Sequence, residues 1–174
     1  MIYRHDDFPQ EMNVVSFSNI HDEFVKADKI HTLAILCSLL DSPQFIPLIN
    51  YIQGVDHIDF QLHGWEHKNY CLLDDDTIKE HLEKSLEKLD EKFSVQPTVW
   101  YLPWNGWVKG HGFDLVPRVA EIAKDYGLKV MTKCAYLLHY LKGQRSNTIY
   151  FHGWDQRDVR ELINLLQGKH EKHI

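Results

Sequence analysis

Along all 174 residues, short apolar runs alternate with amphipathic segments, and this alternation limits the fold more than any other feature. A strand followed by a helix, repeated, returns each new strand parallel to the last. The chain must therefore build a mostly parallel sheet with helices outside it, open or closed into a barrel. The apolar runs place strands at about 2–5, 30–36, 58–62, 98–101, 129–133 and 148–151. Helices are expected at about 19–27, from Pro43 to about 53, and at about 76–93, 113–126 and 155–166. The strongest is D-T-I-K-E-H-L-E-K-S-L-E-K-L-D-E-K-F, where Ile78, Leu82, Leu86, Leu89 and Phe93 form one stripe. Thr77 and Glu80 have capping-box spacing, so the preceding D-D-D run reads as a helix start rather than a calcium site. Gly127 stands where a helix C-cap glycine belongs.

The length suits one domain, with residues 1–168 expected to fold and 169–174 to fray. A domain of this size buries roughly 70% of its unfolded surface and needs no disulfide to fold. Cys37, Cys71 and Cys134 are odd in number and widely spaced, which excludes both a disulfide framework and a C-x-x-C metal knuckle. A net charge of −6 without a basic face argues against a nucleic-acid partner. The chain passes directly from Met1 into I-Y-R-H-D-D, and its longest apolar run (residues 32–40) is too short to span a bilayer. The expectation is a cytoplasmic protein with no membrane partner.

Twelve histidines are spread through the chain, and H-G-W occurs twice, at 63–65 and 152–154. His63 and His67 form an H-x-x-x-H pair directly after a predicted strand. Roughly one such pair arises by chance at this histidine content, so spacing alone has little specificity. A short helical turn would put both imidazoles on one side, as a divalent metal such as zinc prefers. A third ligand is needed, and H-D-D-F at 5–8 offers one. Asp6 and Asp7 end the first strand, where neighbouring side chains point to different sides, so one carboxylate can bind metal while the other stays free as a base. His152 ends the last strand. These segments, and the loop after Tyr101, all fall at C-terminal strand ends, which converge on one face in parallel α/β folds.

In that order the chain resembles the polysaccharide deacetylase superfamily, the metal-dependent carbohydrate esterases of family four. The matching stretches are H-D-D-F (5–8), H-G-W-E-H (63–67), W-Y-L-P-W-N-G (100–106) and Y-F-H (150–152); K-I-H-T-L-A-I-L (29–36) resembles a further family strand. The resemblance implies a distorted (β/α) barrel of about six to seven mostly parallel strands. It also implies a divalent ion, zinc before cobalt or another transition metal, held by Asp7, His63 and His67. Asp6 would then be the general base, His152 the general acid, and the backbone near Trp104 an oxyanion donor. Three features depart from the family pattern, the first being Phe8 in place of the glycine after the Asp-Asp pair. No arginine stands in the 100–106 loop to orient the base, and Tyr101 occupies about that place. The late aspartate that tunes the acid histidine is missing from K-V-M-T-K-C-A (129–135).

Trp65, Trp100, Trp104, Trp107 and Trp154 all lie near the site segments. They read either as indoles for sugar faces or as aromatic plugs in the barrel top, with Tyr101, Trp104, Trp107 and Trp154 as candidate substrate or oxyanion residues. The remaining histidines, including His21, His31, His57 and His81, read as ordinary. The expected activity is deacetylation of an N-acetylated sugar or oligosaccharide. Hydrolysis of a small non-sugar amide and a non-catalytic carbohydrate-binding pseudoenzyme are the alternatives.

Overall fold

The computed structural model describes residues 1–132 and 134–169. In chain order it contains β1 (Ile2–Phe8), α1 (Val14–Lys26), β2 (His31–Leu36), α2 (Ile46–Ile52), β3 (Ile58–Gly64) and α3 (Asp75–Phe93). These are followed by β4 (Val99–Tyr101), α4 (Val116–Asp125), β5 (Lys129–Met131), β6 (Ala135–Tyr136), α5 (Leu137–Leu141), β7 (Thr148–His152) and α6 (Gln156–Leu166). All seven strands are parallel, in the order β5-β4-β3-β2-β1-β7-β6. The sheet curls into a half-barrel, a distorted (β/α) barrel open between β5 and β6 among the described residues. No helix of the described residues is long and apolar enough to cross a membrane.

Several boundaries differ from the sequence expectation for local chemical reasons. Helix α1 starts five residues earlier, at Val14, because the Asn13 side chain accepts the Ser16 N–H at 3.0 Å. Pro43 does not open α2; that helix begins at Ile46 with Pro47 in its first turn. On α3 the cap is Asp74, not Thr77: its carboxylate accepts the Thr77 N–H at 2.8 Å and the Thr77 hydroxyl at 2.9 Å. Asp75 and Asp76 then lie in the first turn, where the helix dipole favours negative charge. Gly127 follows α4 with φ of +73°, as a C-terminal glycine should. Strand β5 is shorter than expected, and Lys133 at the end of the expected run lies outside the described residues, as does most of the expected frayed tail. The two-residue β6 and one-turn α5 are too short to leave a periodic signal.

The main core lies between the sheet and its helices. Phe17, Ile20, His21 and Phe24 form the buried stripe of α1, while Ile78, Leu82 and Leu89 do the same for α3. Each fully buried side chain of this kind contributes about 1.5–3 kcal/mol. A smaller cluster of Ala34, Tyr101 and Cys134 fills the concave side. Strand β1 divides its side chains between the two faces. Tyr3 and His5 pack against Phe24 and Phe151 under the helices, while Arg4 lies between Tyr101 and Tyr150 on the concave side.

Three of the histidines read as ordinary or left without a role form a buried column beneath α1. The Gly153 N–H donates to His5 Nε2 at 3.0 Å, so the neutral His5 carries its proton on Nδ1 and donates to His31 Nε2 at 3.3 Å. His31 in turn carries its proton on Nδ1, 3.3 Å from His21 Nδ1. The column is set among Phe8, Phe17, Phe24 and Phe151. Burial, with the charge of His152 adding to it, pushes His5 down to about 3, and burial holds His31 well below its ordinary 6.5. Both rings are neutral in the folded state.

This column predicts an acid-sensitive fold. The unfolded chain binds these protons first, so the contribution is complete above the ordinary histidine value and is lost as pH falls below it. Each ring adds about 1.4 kcal/mol per pH unit to that slope. His152, whose value is raised, acts with the opposite sign, its contribution fading as pH rises through the folded value. Urea unfolding at about pH 7 and about pH 5.5 is expected to show the midpoint falling with acid, and less steeply in His31→Leu. Equal slopes for the two proteins would contradict the assignment.

Candidate metal and catalytic site

The site is assembled at the C-terminal ends of β1, β3, β4 and β7. In a regular strand Asp6 and Asp7 would point to opposite faces. Here the pairing of β1 with β2 slips between His5 and Phe8, and Asp7 adopts a left-handed backbone at φ of +60°. A non-glycine residue rarely adopts this region, and doing so costs on the order of 1–3 kcal/mol. Its effect is to break the alternation, so that both carboxylates line one cleft of about 320 Å³.

From β3, His63 is within hydrogen-bonding distance of the Tyr101 carbonyl through Nδ1, at 2.7 Å. That contact orients the ring and presents Nε2 to Asp7 Oδ1 at 3.0 Å, where Nε2 donates to the carboxylate when it carries a proton and could bind a metal when it does not. No helical turn carries the second histidine. Instead the chain bends at Gly64, with φ of +143°, where a Cβ would stand 2.7 Å from the Tyr70 ring. The Tyr70 hydroxyl accepts the Trp65 N–H at 2.8 Å and closes the bend, which returns His67 Nε2 to 3.1 Å from Asp7 Oδ1.

Asp7, His63 and His67 each offer one ligand atom, and these atoms lie within 4.8 Å of one another. Two imidazole nitrogens and one carboxylate oxygen are a donor set that fits zinc or a similar divalent ion. Burial alone would raise the Asp7 carboxyl, but hydrogen bonds from both histidines outweigh it and hold the group well below the usual carboxylate range.

His152 lies opposite Asp6 in the β1–β7 register, with Nε2 3.9 Å from Asp7 Oδ2. Its other face meets Asp158, a fully buried residue of α6 that the sequence reading missed. Asp158 accepts the His152 backbone N–H at 3.0 Å and the Tyr136 hydroxyl at 2.6 Å, and lies 3.4 Å from His152 Nδ1. Burial pulls the His152 value down, but the Asp158 hydrogen bond and the charges of Asp6, Asp7 and Asp158 raise it overall. An aspartate is absent from 129–135, as the sequence indicates, yet one reaches this histidine from six residues downstream. That spacing, H-G-W-D-Q-R-D, is visible in sequence only once Asp155 is recognised as the α6 cap that turns Asp158 inward.

Asp6 likewise has an unanticipated partner. Arg4, fully buried two residues earlier on the same strand, directs Nε and Nη2 to the Asp6 carboxylate. Of the tryptophans, Trp104 and Trp154 line the cleft, one set edge-on to His67 at 4.3 Å and the other 5.0 Å from His152. Trp104 and Asn105 are both left-handed, which holds their loop over the site. Trp107 is half exposed outside the cleft lining, Tyr101 lies buried below it, and Trp65 packs against the main core near Lys84. Trp100 is fully buried against Tyr70. A larger groove of about 410 Å³ between α1 and α6 carries no carboxylate or histidine in its lining.

No protein-family profile and no curated protein matches this sequence. Among solved structures, the chain is similar to the peptidoglycan deacetylase PdaC from Bacillus subtilis (13% identity, TM-score 0.71, covering 96% of this chain and 81% of that one). It is also similar to a family 4 acetyl xylan esterase from Clostridium thermocellum in complex with a cobalt ion (13% identity, TM-score 0.67, 97% and 83%). A third is a family 4 carbohydrate esterase pseudoenzyme from Bacillus anthracis (13% identity, TM-score 0.71, 98% and 61%). At this identity the likeness is one of fold, and the fold is that of family 4 carbohydrate esterases and deacetylases.

The bend at Gly64 gives a direct test. Gly64→Ala places a methyl group against Tyr70 in a backbone that side chains avoid, and is expected to cost about 2–3 kcal/mol in urea unfolding. A loss below about 0.5 kcal/mol would show that the bend does not depend on the glycine.

Proposed function

We propose that the protein is a metal-dependent amide hydrolase that removes acetyl groups from an N-acetylated sugar or oligosaccharide. The observation that carries this reading is the convergence of the Asp7–His63–His67 cluster with two further groups, Asp6 and His152, in one cleft. The two face each other in register on neighbouring strands. The family 4 fold supports the same reaction class.

Asp7, His63 and His67 would hold a divalent ion, zinc or a similar metal, which when bound supplies Lewis-acid polarisation and lowers the pKa of water. The residues of the chain account for the remaining chemistry. Asp6 accepts the proton of the water that attacks the acetamide carbon. The developing oxyanion needs a donor, and the Trp104 N–H, set in left-handed backbone at the cleft, is the candidate. An amide nitrogen leaves poorly as an anion, so His152 gives it a proton. Asp158 holds that imidazole through Nδ1, which leaves Nε2 toward the cleft, and stabilises its charged form. Trp104 and Trp154, each about half exposed, offer apolar faces on which a sugar ring can pack.

Acetate release from N-acetyl-chito-oligosaccharides with added Zn²⁺ or Co²⁺ tests the reading. Asp6→Asn is expected to lower turnover by about 10²–10⁴-fold while metal content stays at one ion per chain. His63→Ala is expected to lose the ion itself, measured by elemental analysis of the purified protein. Asp158→Asn keeps the shape but not the charge and is expected to lower kcat by about 10–100-fold. A protein that binds one metal ion yet cleaves no acetamide in a broad panel would instead be a carbohydrate-binding pseudoenzyme, a state represented among proteins of this fold.

A further inference from the structure

The 100–106 loop contains no arginine, so sequence order alone leaves the base Asp6 without a cation. We propose that Arg4 is the positioning residue for Asp6, and that Tyr101, in the place where an arginine would be expected, serves to hold Arg4. The inference rests on the reading of Asp6 as the base.

Arg4 and Asp6 are two residues apart on β1 and so share a face of the sheet. Nη2 of the guanidinium donates to Asp6 Oδ2, and Nε lies in ion-pair contact with Oδ1, so the cation meets the carboxylate along its whole edge. Each carboxylate oxygen has a further lone pair, so this pairing leaves Asp6 able to accept a proton from the cleft side. Two tyrosine rings pack against the guanidinium. Tyr101 lies 4.4 Å from it and Tyr150 4.9 Å. The remaining edge meets Cys134, with Nη1 3.3 Å from the sulfur. A cation this fully enclosed, with 1% of its surface exposed, has one orientation, and it imposes one on the carboxylate it grips. The order of events in the chain is exchanged: the aromatic residue stands at the end of β4 and the arginine within β1.

A buried ion pair can also be no more than filling for the concave side, and a double-mutant cycle separates the two roles. Metal-loaded Arg4→Lys, Arg4→Met, Asp6→Asn and the double variants are compared for kcat, KM, metal content and melting temperature. Arg4→Lys, which keeps the charge but not the planar guanidinium and its enclosed packing, is expected to lower kcat about 10–100-fold, with KM within about threefold and metal unchanged. Added to Asp6→Asn it is expected to have no further effect on turnover, because two residues acting as one unit are not additive. Independent, multiplying losses, or a folded and metal-loaded Arg4→Lys with unchanged kcat, would overturn the proposal. If Arg4→Met does not fold, Arg4→Lys still decides. Its crystal structure adds a readout that needs no turnover: the Asp6 carboxylate is expected to leave its rotamer, and a retained rotamer counts against the proposal. An Asp6→Asn variant with full activity would instead remove the reading of Asp6 as the base.

Discussion

The site depends on a local break in β1. Seven residues of this central strand carry Arg4, His5, Asp6 and Asp7, and a regular strand would send them alternately to two faces. The left-handed backbone at Asp7 suspends that alternation at its last step. Arg4 and Asp6 remain paired on the concave side, His5 remains under the helices, and Asp7 turns to meet two histidines, His63 on β3 and His67 in the bend that follows it. The strain at Asp7 is sustained because β1 is locked between β2 and β7 and its neighbour Phe8 is fully buried.

From this strand two systems of buried polar groups run in opposite directions. On the concave side, Arg4, held between two tyrosines, grips Asp6. Beneath the helices, His5 accepts the N–H of Gly153, the residue after His152, and passes its own proton direction down to His31 and His21. A Cβ on Gly153 would stand 2.2 Å from the His5 ring. The two H-G-W stretches thus use glycine for different reasons. Gly64 supplies a conformation and room for Tyr70; Gly153 supplies room for a histidine ring. The indoles also differ: Trp154 lines the cleft, whereas Trp65 is not in its lining and packs against the main core with Lys84 near its ring.

Much of the architecture is legible in sequence because its signals are local. Strand–helix alternation marks six of the seven strands, and the 3.6-residue stripe of Ile78, Leu82 and Leu89 marks α3. Helix starts are less legible, since Asp74 caps about one turn, and Asn13 more than one turn, before the boundary that periodicity alone suggests. The segments that line the cleft could be named because parallel topology brings strand ends together. The partners of the site residues could not. Arg4 reads as an ordinary charge near a terminus, and Asp158 as a first-turn acidic residue of a surface helix.

Sequence by itself determined which chemical groups are present at the strand ends and that the strands run parallel, since both follow from residue type and short-range period. Only the tertiary structure decided how those groups are tuned. Whether Asp6 has a cation and His152 an anion depends on contacts across two, six and nearly one hundred residues. A missing motif residue can therefore be supplied from elsewhere in the chain. Electrostatic pairing depends on distance in space, and the curled sheet brings Arg4, Tyr101 and Tyr150 together although the chain keeps them far apart.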